Sequence, residues 1–513
     1  MALGGPITLD TFAGPVKVEW DRSSPLTPLG QFVYFAEFLK VSGLLDAVVA
    51  DCPLTYTSPN APEVRDVIGT WVLAALAGHK RYAHVTALRS DTVLPELLGM
   101  TKIVSEDSLR RALLAIPQQD GLDWLQRHID TCVLPLLGEP HVIDIDTTVK
   151  PLYGHQEGAV VSYNPKKPGR PSHVHHTYML AGLRLVMGVE TAPGVAPRAQ
   201  PHDEHTGKHA APGLWALIDR TPRDCRPKLL RGDSGIASEG VMREGEQRGL
   251  AYLFKLRLTK NVKSLIERTF TRGGWHDAGQ GWQGQEAELR LTGWSRQRRV
   301  LVLRRRLRSG VVAETRDATD QLRLSFAEVE EDTPIWEHAV LVTSIDLGAA
   351  CNKAEDEVLA IAQLYRDRAD SENVFDELKN QWGWGGFTTH DLKRCRLTAR
   401  MIALVYNWWN IFVRLAEPDK HLEAITSRPL LLAGIAERTR HGRQTTLRIA
   451  STHGRAGWAE RVLTGVARFL RGLIDAAEQL TPDEVWSRIL AHAVRSWLKG
   501  RQLRAPPRLM APA

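Results

Sequence analysis

The chain is poor in the features that staple or anchor a fold from outside its core. Its five cysteines in 513 residues (Cys52, Cys132, Cys225, Cys351 and Cys395) are scattered, odd in number and form no C-x-x-C pair. That pattern disfavours a disulfide framework and a structural zinc site. No run of 18 or more apolar residues occurs, and the N-terminus MALGGPITLDTFAGP lacks the basic and apolar regions of a secretion signal. Membrane insertion and export are therefore disfavoured, and a cytoplasmic protein is expected. A Gly-x-x-x-x-Gly-Lys loop is also missing, so any phosphate chemistry here addresses a polymer rather than a free nucleoside triphosphate. Internal repeats and long low-complexity segments are absent as well.

What is present is enough apolar residue, 43% of the chain, to bury a real core and to build two to four domains. The formal charge is +7, a weak pointer to a nucleic-acid partner. Basic residues cluster at Arg296 to Arg308, Arg438 to Arg448 and Arg495 to Arg508. Each cluster alone reads equally as a solvated face.

Along the chain, residues 1–137 carry apolar residues at helical spacing, as in QFVYFAEFLKVSGLLDAVVA. In VSEDSLRRALLAI, Ser105 reads as an N-cap, with Glu106 and Asp107 in the first turn. This N-terminal region is expected to bind DNA through a helix-turn-helix-like element or else to be an ordinary helical bundle. Residues 138–257 alternate strands and helices, implying an α/β sheet with HVIDIDTT and RPKLLRGDSGI as two of its strands. Asp146 and Asp233 fall at strand carboxyl ends, where such sheets place functional groups. From 258 to 345 the period is two, predicting a β-rich insertion that carries Trp275, Trp282, Trp294 and Trp336. Helix returns over 346–416, and 417–513 reads as a helical, basic C-terminal region.

The chemistry centres on LYRDRADSENVFDELKNQWGW. Tyr365, Arg368, Glu372 and Lys379 are offset by three, four and seven residues, which on one continuous helix spans roughly 60° of arc. Asp146, Asp233 and Glu372 are carboxylates from separated chain positions, a set that suits two hard cations and phosphoryl transfer. Asp144 shares a strand face with Asp146 and is an alternative ligand. Asp233 reads equally as a turn or cap residue.

These residues resemble the DDE transposases of bacterial insertion sequences, in the branch marked Y-(2)-R-(3)-E-(6)-K, complete here as Tyr365, Arg368, Glu372 and Lys379. DIDTT resembles the family's first-Asp strand, and LLRGDSG its second. The resemblance spans roughly residues 140 to 410. It implies an RNase H-like core interrupted by a β-rich insertion, with Asp146, Asp233 and Glu372 holding two Mg²⁺ ions for which Mn²⁺ can substitute. Arg368 and Lys379 would grip phosphates near the scissile bond, and Tyr365 would contact the same strand. The implied activity is cut-and-paste cleavage and strand transfer at terminal inverted repeats, by a homodimer on DNA in the bacterial cytoplasm and nucleoid. An RNase H-like nuclease without strand transfer and a catalytically inactive DNA-binding derivative are the rivals. In relatives an aromatic of the insertion can stack on a flipped base, a role the sequence assigns to none of the four tryptophans. The stretch from His155 to His176 matches no zinc spacing. With Lys166, Lys167 and Arg170 it reads as a loop tracking DNA beside Asp146, or as a plain surface loop.

Overall fold

The structure, a computed structural model, describes residues 7–21, 23–161, 167–193, 207–307, 314–316, 322–324, 335–347, 353–450, 452–476 and 479–503. The chain divides into two compact units, Met1–Pro117 with Phe412–Ile489, and Gln118–Ile411 with Leu490–Ala513.

In the first unit a hairpin of β1 (Ile7–Thr11) and β2 (Gly14–Val18) precedes the short β3 (Leu26–Thr27) and a set of helices. The helix Phe32–Ser42 repeats phenylalanine every third residue, so Phe32, Phe35 and Phe38 share one buried face. Phe412 meets Phe35 edge-on at 5.2 Å. Ser105 is the N-cap expected from the sequence: its hydroxyl accepts from Ser108 N at 3.1 Å at the start of helix Glu106–Ala115.

The second unit is built on a ten-stranded sheet. Along the chain its strands are β4 (Val142–Pro151), β5 (Val160–Val161), β6 (Pro171–Leu180), β7 (Leu185–Pro193), β8 (Leu229–Gly232), β9 (Ala251–Lys255), β10 (His276–Gly279), β11 (Trp282–Leu289) and β12 (Arg298–Arg306). A separate pair, β13 (Glu314–Arg316) and β14 (Leu322–Leu324), precedes the last, β15 (Trp336–Thr343). Across the sheet the order is β10-β11-β12-β15-β9-β8-β4-β6-β5, with β7 also paired to β6. β4, β6 and β7 form an antiparallel meander, whereas β8 and β9 run parallel to β4. Buried on both sides, β8 is short and mostly apolar, as a central parallel strand must be.

Residues 258–345 depart from the sequence reading in two ways. They begin with a helix, Lys260–Arg272, whose buried Val262, Leu265, Ile266 and Thr269 follow helical spacing. Their long strands also prolong the main sheet, since β15 pairs antiparallel with β9. The tryptophans meet arginines. The guanidinium of Arg304 lies 4.0 Å from the Trp275 ring and 4.3 Å from Trp336, Arg305 lies 4.8 Å from Trp282, and Arg298 lies 5.2 Å from the buried Trp294.

The stretch read as one loop is a strand from Pro171 onward. His173, His175 and His176 lie buried on β6, leaving Lys167 and Arg170 over the Tyr153 ring at 4.8 and 5.1 Å. Lys166 falls outside the described residues.

The helix Leu392–Ala416, part of this unit as far as Ile411, covers the outer edge of β7. Its polar side chains take up strand groups that would otherwise have no partner. Arg396 Nε donates to Thr191 O, Arg400 Nε to Val189 O and Asn410 Nδ2 to Arg184 O. Asn407 is fully buried, donates to Val186 O and accepts from Val186 N, both at 2.8 Å. An open edge is thereby closed by one helical stripe. Asn407→Ala strands a buried N–H and C=O pair, and urea denaturation should show a loss of about 2–4 kcal/mol.

Back in the first unit, β16 (Ala436–His441) and β17 (Gln444–Ile449) form an antiparallel ribbon. Residues 417–513 are thus not wholly helical. Threonine and alternating arginine at 438–448 favour strand, and Gly442 at φ 60° makes the turn.

Candidate active site

Asp146 does not end its strand, because β4 continues beside β6 to Pro151. It ends the pairing of β4 with β8. The parallel register runs from Val142↔Leu229 to Ile145↔Gly232, so the next residue on each strand is an aspartate, Asp146 and Asp233. Beyond Gly232 the chain turns, and Asp233 Oδ1 accepts from Gly235 N at 2.9 Å. The turn-residue reading and the site reading of Asp233 therefore coexist.

Two residue pairs earlier, opposite Arg231, Asp144 has a different task. It is 1% exposed and forms a two-pronged ion pair with Arg231, Nε to Oδ1 at 2.5 Å and Nη2 to Oδ2 at 2.7 Å. Ser371 Oγ donates to Asp144 Oδ2 at 2.5 Å. With both oxygens occupied, Asp144 is a structural anchor, and Asp146 is left as the carboxylate of this strand face with room for another partner.

The same arginine explains a departure from the one-helix reading of the Tyr365 to Lys379 stripe. There are two helices, Ala354–Arg366 and Ala369–Asn380, with Arg368 as N-cap of the second. Arg231 Nη1 donates to the carbonyl of Leu364, the group that an uninterrupted helix would offer to Arg368 N. Arg368 N bonds instead to Tyr365 O at 3.1 Å. A side chain inserted into the i→i−4 ladder breaks the helix. Ser371 on Asp144, and Asp370 paired with Arg184 at 2.7 Å, fix the start of the second helix.

The break turns Tyr365, Arg368 and Glu372 over the two aspartates. Arg368 Nη2 lies 3.6 Å from Asp146 Oδ2, and its Nη1 donates to Glu372. Burial pushes the Asp146 carboxyl up; Arg368 opposes this, while Asp233 and Glu372 add to it, leaving its pKa at about 7. Burial likewise pushes the Tyr365 phenol up to about 12, with Arg368 pulling it down and Asp233, Glu372 and Asp146 raising it. Burial opposes the charge of Arg368, but Asp146, Tyr365, Asp233 and Glu372 outweigh it, so its pKa is raised. Five of the six residues singled out in the sequence thus act on one another. Lys379 follows Glu372 by seven residues on the same helix, about 10 Å along its axis.

Among the described residues, no group of three His, Cys, Asp or Glu side chains stands ready to enclose a metal ion. The donor set nevertheless suits a hard divalent cation: three carboxylates, all oxygen. The Glu372 side chain is 62% exposed, and the Arg368 guanidinium that pairs with it stands between Glu372 and Asp146 as a cation would. Arg368 Nε is buried with no hydrogen-bond partner among the described residues. The sequence reading missed Arg231 and Ser371. A signal for Arg231 was there, since an arginine inside the apolar LLRG strand requires a buried counter-charge.

A family model described as transposase DDE domain group 1 matches residues 33–470. No curated protein matches the chain. Among solved structures, the chain is similar to a piggyBac transposase synaptic complex with hairpin DNA, at 11% identity and a TM-score of 0.38, over 91% of this chain and 85% of that one. Among the described residues no helix is long and apolar enough to cross a membrane.

Proposed function

From the premise that this chain belongs to the transposase DDE domain group 1 family, we propose that it cleaves DNA at the ends of a bacterial insertion sequence and joins the freed ends to a target. The observation that carries this reading is the β4–β8 register, which brings Asp146 beside Asp233 beneath the Tyr365–Arg368–Glu372 turn. The sheet order β7-β6-β4-β8-β9, antiparallel then parallel, supports an RNase H-like core of 138–257 and 346–416, with 258–345 as insertion. Residues 1–137 and 417–513 would serve DNA binding and assembly. The spacing of Tyr365, Arg368, Glu372 and Lys379 supports the Y-R-E-K branch.

Asp146, Asp233 and Glu372 would hold two Mg²⁺ ions in this reading, or Mn²⁺ in their place. When bound, such ions supply activation of the attacking oxygen and charge neutralisation at the leaving one. The protein's own groups do the rest. Glu372 turns from Arg368 toward the aspartates, and the released guanidinium takes a phosphate oxygen in bidentate fashion, which also satisfies its orphaned Nε. Lys379 offers a point charge to a phosphate further along the strand, and Tyr365 packs against the same strand. Catalysis then requires two DNA ends held by a homodimer in the cytoplasm, at the nucleoid.

The test is metal-dependent nicking and joining of DNA that carries the element's ends, with wild type compared to Glu372→Ala. Loss of both steps in the variant with DNA binding intact is expected. Cleavage without joined product would identify a nuclease, and binding without cleavage in both proteins would identify an inactive DNA-binding derivative.

A further inference from the structure

We propose that the β16–β17 ribbon of the first unit is a reader of double-stranded DNA, inserted into the major groove. The inference rests on the reading above, that the chain acts on DNA, and adds a site remote in sequence from its carboxylates.

The ribbon is anchored at one end and open at the other. β3 pairs with Ala436 and Glu437, and Arg438 N donates to Pro25 O at 2.8 Å, so only from Thr439 outward do the two strands have just each other among the described residues. On one face Ala436, Arg438 and Arg440 stand opposite Ile449, Leu447 and Thr445. Near the base this face is inward: Ala436 is buried, and Arg438 pairs with Glu96 and donates to Thr92 O. The other face presents Thr439 and His441 opposite Thr446 and Gln444, half-buried or exposed throughout. Gly442 takes the positive φ of a two-residue turn, with Arg443 at the tip.

Charge and chemistry then select the occupant. Arg440, Arg443 and Arg448 are exposed, and none has a carboxylate partner among the described residues. The ribbon's one acid, Glu437, lies at its base opposite Arg448. The buried Arg231 and Arg298 are each paired with a carboxylate, whereas these three project on a hairpin without one among the described residues, a placement that suits an anion. Six residues per strand give a length of about 20 Å, and the major groove of B-DNA, about 12 Å wide, admits a two-stranded ribbon. Glutamine, threonine and histidine on the outer face carry the donors and acceptors that read base edges. The tip arginines fall on the flanking phosphates.

The test uses the full-length chain and a randomised 30-bp duplex library, with affinity followed against salt. Arg440→Gln/Arg443→Gln/Arg448→Gln should weaken duplex binding at least tenfold at 0.15 M salt and lower the slope of log K against log salt by about 2 to 3. Gln444→Ala/Thr446→Ala should keep that slope but lose base preference at one or two positions of the enriched sequence. A benzophenone amino acid in place of Thr446, which leaves the arginines intact, should crosslink to duplex. Wild-type binding with an unchanged slope in the triple variant, or no crosslink from position 446, overturns the ribbon proposal alone. Failure of the wild type to bind any duplex overturns it together with the transposition reading.

Discussion

Asp144→Ala should lower the stability of the second unit by about 3–5 kcal/mol, the cost of leaving a buried charge without its partner. Arg231 is 3% exposed and spends its guanidinium on both Asp144 oxygens and on Leu364 O. Removal of the carboxylate leaves a cation that water cannot reach. Ser371 loses its acceptor at the same time. Urea denaturation measures the loss directly. A second variant separates stability from positioning. Asp144→Leu/Arg231→Met replaces the pair by apolar groups of similar size, and such swaps are often neutral or stabilising. It should recover most of the denaturation midpoint yet stay poor in DNA cleavage, because nothing then holds Leu364 O out of the helix ladder or Ser371 against β4. Full recovery of cleavage in that double variant would mean that the helix break forms without Arg231.

How much of this was legible in the sequence follows from the range of the interactions involved. The strands were readable where apolar runs are bounded by turn residues, as in β4, β8 and the β6–β7 pair. Asp146, Asp233, Tyr365, Arg368 and Glu372 were singled out from spacing and resemblance, and they do face one another. What could not be read was the break at Asp367. Its local sequence, YRDRADSE, has no proline or glycine and propagates helix by propensity. The cause is Arg231, which takes the carbonyl of Leu364 from 133 residues earlier in the chain. The polar stripe of Arg396, Arg400, Asn407 and Asn410 was hidden for the same reason: in sequence it interrupts a core helix, and only the exposed edge of β7 gives it a purpose. The helix Lys260–Arg272 was different. Its period was present in the sequence and was overridden by the alternation of the strands that follow.

Asp146→Asn should raise the stability of the metal-free protein while abolishing DNA cleavage, and pH decides where the gain appears. The carboxyl has a pKa of about 7 in the folded chain against 3.8 for an unperturbed aspartate. The folded state thus binds this proton more tightly than the unfolded state does. Below pH 4 both states are protonated and the group costs nothing. Between pH 4 and pH 7 the unfolded state gives up its proton and the folded state keeps it, so stability falls as pH rises; above pH 7 the loss is complete. About three units of difference correspond to at most roughly 4 kcal/mol. The asparagine carries no charge to desolvate, so at pH 8 without metal its thermal midpoint should exceed wild type by several degrees. At pH 4 the two should coincide. Mg²⁺ should raise the wild-type midpoint at pH 8 and leave the variant nearly unmoved, because a ligand stabilises only the state that binds it. Cleavage should fall by about 10³-fold or more, as expected when several kcal/mol of charge stabilisation is lost. A variant less stable than wild type at pH 8 would show instead that Arg368 holds Asp146 ionised in the resting protein. The guanidinium, not a proton, would then be what a metal ion must displace.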